Sequence, residues 1–64
     1  MVIDAEKLRN KMIQKGYTTK TLANAAHLSV QTVQNILQNK TFEPQGKTVF
    51  KLTQALNCLY SDVA

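Results

Sequence analysis

The sequence predicts an all-α fold, a compact bundle of four to five short helices. Three observations carry this. Apolar residues recur at intervals of three and four, and no stretch alternates apolar with polar long enough to form a strand. Asp4, Thr18 and Ser29 each stand just before such a periodic segment, as N-cap residues do. Gly16, Asn39 and Asn57 stand where the segments stop, and these residue types accept the left-handed conformation that closes a helix.

The elements follow in order. A first helix is expected from Ala5 to Lys15, capped by Asp4, with Glu6 at the positive end of the dipole and Leu8 and Met12 on one face. Gly16 ends it. A second is expected from Thr19 to Ala26 behind Thr18, with Leu22, Ala23 and Ala26 inward. Its two alanines leave room for another helix to cross close by. A short turn centred on His27 and Leu28 follows. A third helix is expected from Val30 to Gln38 behind Ser29, with Val33, Ile36 and Leu37 as its apolar stripe. Lys40 complements its negative end. In the loop from Thr41 to Gln45, Phe42 is expected to fold back onto the core. The fourth helix is expected from Gly46 to Leu56, with Val49, Phe50, Leu52 and Leu56 inward, and Leu59 to Val63 add one more turn.

Size and charge bound the function. The 64 residues form one domain. A chain this short buries only roughly 60% of its unfolded surface, so its stability is marginal. The single cysteine, Cys58, excludes an intramolecular disulfide, and with a single histidine it cannot complete a structural zinc site. No metal and no cofactor is expected. No apolar run approaches the roughly 20 residues that span a bilayer, and the acid at Asp4 interrupts any leader-like start. A cytoplasmic location is expected, where an unpaired cysteine stays reduced. The net charge is +4, and its distribution is uneven: six basic residues and no acid lie between Lys7 and Phe42. Positive charge gathered over one half of a small domain favours a polyanionic partner.

Catalysis is not expected. Cys58 has no base placed near it in the sequence, the four acids show no paired spacing, and there is no glycine-rich phosphate loop. The informative constellation is residues 19–38. Two short helices joined by a short turn are the local signature of a helix-turn-helix. Leu22, Ala23, Ala26, Leu28, Val33 and Ile36 pack the two helices across each other, which leaves one face of the third helix free. That face is Gln31, Thr32, Gln34, Asn35 and Gln38, and no charged residue follows Lys20 until Lys40. A merely solvated face carries glutamate and lysine. Side-chain amides instead pair with base edges in the major groove of double-stranded DNA, and an acid there would repel phosphate.

Residues 5–58 resemble the phage repressor and Cro-type helix-turn-helix family, also called the xenobiotic-response-element family. The residues that carry the resemblance are Gly16-Tyr17-Thr18, Leu22-Ala23, Leu28-Ser29, Thr32-Val33, Ile36, Asn39-Lys40, Pro44, Lys51-Leu52 and Ala55-Leu56. The resemblance implies a lambda-repressor-like domain that binds operator DNA, usually as a homodimer. By position it implies that Val30, Gln31 and Asn35 face base edges, with Thr32 and Gln34 beside them. Thr19 and Ser29 would contact phosphate, Lys40 and Thr41 would touch the backbone past the third helix, and Lys20 is a further phosphate contact.

The chain departs from the family pattern in four places. Thr19 replaces the usual glutamine, and His27 stands where glycine is usual. Met12 and Leu37 occupy the positions of a common arginine–glutamate pair, so an apolar contact between them is expected in its place. Pro44 sits one residue late, which lengthens the loop before it. A small Cro-like repressor is the reading these features favour, since occluding a promoter requires only binding. A phage or mobile-element origin suits so small a regulator. The alternative is an antitoxin or co-regulator that acts through a protein partner, with Tyr17, Leu59, Tyr60 and Val63 as candidates for the contact patch or for a homodimer seam.

Overall fold

In the computed structural model, which describes residues 1–41 and 43–64, four α-helices are followed by one 3-10 turn. They are α1 (Ala5–Lys15), α2 (Thr19–Ala26), α3 (Val30–Leu37) and α4 (Gly46–Leu56), and the turn is Tyr60–Asp62. No strand occurs among the described residues. The expected fold of Phe42 onto the core lies outside them.

Local chemistry sets the helix ends. The Asp4 carboxylate accepts the N–H groups of Glu6 and Lys7 at 2.9 and 3.1 Å, satisfying two donors that α1 leaves open. Gly16 ends α1 at φ 77°. Three further residues at or just past helix ends are left-handed without glycine: the caps His27 at φ 58° and Asn57 at 52°, and Asn39 at 60°, one residue beyond the α3 cap. Asparagine tolerates this region, whereas histidine occupies it at greater cost. α3 stops at Leu37, one residue short of expectation, because Gln38 leaves helical geometry at ψ 8°. The Asn35 carbonyl then accepts the N–H groups of both Lys40 and Thr41, at 2.8 and 3.1 Å, and so draws the following loop under the helix.

The core is built from all four α-helices and from the two ends of the chain. Leu8, Leu22, Val33, Ile36, Val49, Leu52, Leu56 and Val63 are fully buried, and each contributes about 1.5–3 kcal/mol by leaving water. α2 packs against both α3 and α4, and α1 against α3 and α4. Ala23 and Ala26 are buried where α2 meets its neighbours, the close approach that their small side chains permit. Met12 lies in this core and Leu37 packs half-buried against it, so no charge is enclosed where the ion pair is missing.

Two expectations are corrected. Phe50 is 61% exposed, because α4 turns Val49, Leu52 and Leu56 inward and leaves the adjacent Phe50 outside that stripe. Val63 is completely buried and so is no part of a surface patch. The Asp4 N–H donates to the Val63 carbonyl at 2.8 Å, which brings the first and last segments together and buries Ile3 as well. Tyr17 and Tyr60 are also half-buried, and their hydroxyls donate to the carbonyls of Ala55 (3.1 Å) and Val2 (2.7 Å). Of the four candidate patch residues only Leu59 is strongly exposed, at 71%.

Candidate nucleic-acid interface

The turn between α2 and α3 is three residues long, His27 to Ser29. The left-handed His27 reverses the chain, and the Leu28 N–H bonds back to the Ala23 carbonyl at 2.9 Å. Leu28 is half-buried against the core and holds the turn down. The angle between the two helices is therefore set by one strained backbone position and one apolar anchor.

Hydroxyl pairs organise both N-termini. At α2, the Thr18 hydroxyl accepts the Thr21 N–H (3.2 Å) and the Thr21 hydroxyl oxygen accepts the Thr18 N–H (2.8 Å). This is a capping box with threonine in place of the usual Glu or Gln. It fixes the first turn, where Thr19 is half-buried and Lys20 exposed. At α3, Ser29 Oγ accepts the Thr32 N–H at 3.1 Å, and the two hydroxyls share a hydrogen bond of 2.7 Å. One hydroxyl proton of that pair stays available to an outside acceptor. The N-terminal ends of both helices carry partial positive charge that suits an anion.

The solvent side of α3 exposes Val30, Gln31 and Gln34, with Thr32 and Asn35 half-buried beside them. Within the face, Gln31 Nε2 donates to Asn35 Oδ1 at 2.8 Å. No residue of α3 is ionisable. Lys40 and Thr41 lie exposed just past its C-terminal end, tied to Asn35 through their backbone N–H groups. The residues singled out from the sequence thus fall at the start of α2, along one face of α3 and in the loop beyond it.

Arg9 was not anticipated at this site. Its guanidinium donates to the Leu37 carbonyl at 3.2 Å, placing a cation from α1 on the last residue of α3. A charge there favours the negative helix end. Nothing in the local sequence marks this contact, which joins positions 28 residues apart. Thr21 was also missed, although a threonine three residues after Thr18 is a legible capping signal.

Other chemistry is sparse. Among the described residues no three His, Cys, Asp or Glu side chains converge to hold a metal ion. Burial, and then the Asp62 carboxylate, push the Cys58 thiol above its ordinary range. No described helix is long and apolar enough to cross a membrane.

Two short helices joined across a three-residue turn form a helix-turn-helix domain, and its second helix presents an uncharged amide face. The chain belongs to the Cro/C1-type HTH DNA-binding domain family, whose sequence profile matches residues 7–64. It is by that membership a DNA-binding regulator of transcription. Among curated proteins none matches the chain.

Proposed function

We propose that the protein is a small Cro-like repressor that acts in the cytoplasm and binds a double-stranded operator as a homodimer with α3 in the major groove. The observation that carries this reading is the amide face of α3, which is exposed and free of charge where a solvated helix would carry Glu and Lys. Val30 is 39% exposed at the start of that face and suits a thymine methyl. Gln31, Thr32, Gln34 and Asn35 read base edges. Thr19, Lys20, Ser29, Lys40 and Thr41 hold phosphates and set the register of the helix in the groove.

One α3 covers only a few base pairs. A symmetric pair would place two such helices roughly 34 Å apart on one side of the duplex, which calls for an inverted repeat. Selection of bound sequences from a randomised duplex library tests this directly. Two inverted half-sites one helical turn apart are the expected result. Lys40→Ala is expected to weaken all sequences alike and to reduce the salt slope by about one. Binding without sequence enrichment would refute the reading.

A second reading, as an antitoxin or co-regulator, rests on Ile13, Phe50 and Leu59, which are 70%, 61% and 71% exposed. A protein partner would cover such residues. Substituting Ile13 and Phe50 with serine leaves operator binding intact under the first reading and abolishes partner capture under the second; Leu59 is kept, because it is a candidate for the homodimer seam.

A further inference from the structure

We infer that Gln31 and Asn35 act as one coupled reading unit that selects adenine opposite Gln31 and guanine opposite Asn35. This rests on the proposal that α3 reads bases and assigns a base to each of the two amides. The observation is the 2.8 Å hydrogen bond from Gln31 Nε2 to Asn35 Oδ1, which joins two side chains four residues apart on the outward face. Such i, i+4 amide pairs are neighbours on a helix surface.

The bond changes what each amide can offer. A free glutamine or asparagine presents one carbonyl acceptor and two N–H donors, and either suits adenine, whose major-groove edge has the N7 acceptor and the N6 donor. After donating to Asn35, Gln31 keeps its Oε1 acceptor and one N–H, which still matches adenine. Asn35 has one of the two Oδ1 lone pairs engaged, so its two Nδ2 protons outnumber the one acceptor position it still offers. Guanine presents two acceptors on the major-groove edge, O6 and N7, and is the base that meets two donors.

Asn35 is held for this role. Its backbone carbonyl accepts both Lys40 and Thr41 N–H groups, and its side chain is half-buried. Gln31 is exposed and hinges on that fixed partner. The two Cα atoms lie about 6 Å apart along the helix axis, so the paired bases fall within two steps of each other.

The test compares sites selected from a randomised duplex library by the wild-type protein and by Gln31→Ala, Asn35→Ala and the double variant. Alanine is the best helix former and neither side chain belongs to the core, so the helix is retained. Coupling predicts that Gln31→Ala changes two columns of the site: its own adenine preference is lost, and the guanine column of Asn35 shifts toward adenine because Oδ1 is released. Each single variant is expected to bind the wild-type site about tenfold more weakly, with the double variant close to the worse single one.

If each substitution relaxes only its own column and the losses multiply, the coupling is overturned while α3 remains the reader. Guanine opposite Gln31 with adenine opposite Asn35 would overturn the assignment by showing the amide bond reversed. If all four proteins select the same site, both the coupling and the reading by α3 fall.

Discussion

α1 and α3 are both amphipathic and both lie on the same core, yet their outer faces differ in kind. α1 exposes Glu6, Lys7, Arg9 and Lys15, while α3 exposes Val30, Gln31 and Gln34 with no ionisable group. Three of the four cationic side chains of α1 are turned onto the chain itself. Lys7 Nζ donates to the Ala64 carbonyl at 2.9 Å, Lys11 Nζ to Gln14 Oε1 at 2.9 Å, and Arg9 to the Leu37 carbonyl at 3.2 Å. The amides of α3 bond to one another and otherwise face outward. Charge on the α1 surface here braces the domain, and under the proposed function its absence on α3 leaves that face to a partner that is itself charged.

The comparison can be broken at its base, where α3 meets α1. Leu37→Glu would place a carboxylate at the edge of the core that holds Met12, and the exposed Arg9 guanidinium on the residue 37 carbonyl offsets only part of that cost. A loss of about 2–4 kcal/mol is expected, a large share of the stability of so small a domain. A thermal melt that does not move would contradict the packing of Leu37.

Adding charge to each face sharpens the contrast. Gln34→Glu on α3 is expected to weaken DNA binding about tenfold or more, because the carboxylate meets phosphate. Gln14→Glu on α1 adds the same charge where no DNA contact is proposed, and a change of less than about twofold is expected. Binding curves at one salt concentration compare them. Equal losses would mean that net charge alone, and not the α3 face, governs affinity.

The turn that aims α3 is a smaller test. His27→Gly removes the cost of holding a Cβ in the left-handed region and is expected to stabilise the fold by about 1 kcal/mol. For a domain of this size that is a rise in Tm of about 4–8 °C, with DNA binding retained. The smallest effect concerns Cys58. Its thiol is held above the ordinary range by burial and by Asp62, so the thiolate is scarce at neutral pH. Alkylation at pH 7 is expected to be slower than for an unstructured cysteine, and to quicken on unfolding. A rate equal to that of a free thiol would place Cys58 in a different environment.

Much of the candidate site was legible because its signals are local. A cap, a turn residue and a helix face each depend on residues within four positions of one another. Asp4, Thr18 and Ser29 cap as their side-chain chemistry requires, and His27, Asn39 and Asn57 take the left-handed conformation where a helix must stop. The polar face of α3 followed from the apolar spacing of Val33 and Ile36. Arg9 on Leu37 was not legible, since a long side chain reaching across the fold leaves no periodic trace. Phe50 was misplaced for a related reason. Val49 and Phe50 are adjacent on the helix and similar in hydropathy, and only the position of the neighbouring helices decides which is buried.

The sequence by itself determined the helices, their ends to within one residue, the tight turn and the uncharged amide face, since hydrophobic period and capping chemistry act over a few residues. The tertiary structure alone decided how the ends of the chain are used. Ile3 and Val63 are core residues only because the Asp4 N–H meets the Val63 carbonyl, and neither lies in a segment whose spacing points inward. It also decided that Gln31 and Asn35 meet with a particular donor and a particular acceptor. Spacing makes two amides neighbours, but the torsions of the two side chains, which no sequence pattern records, choose which one donates.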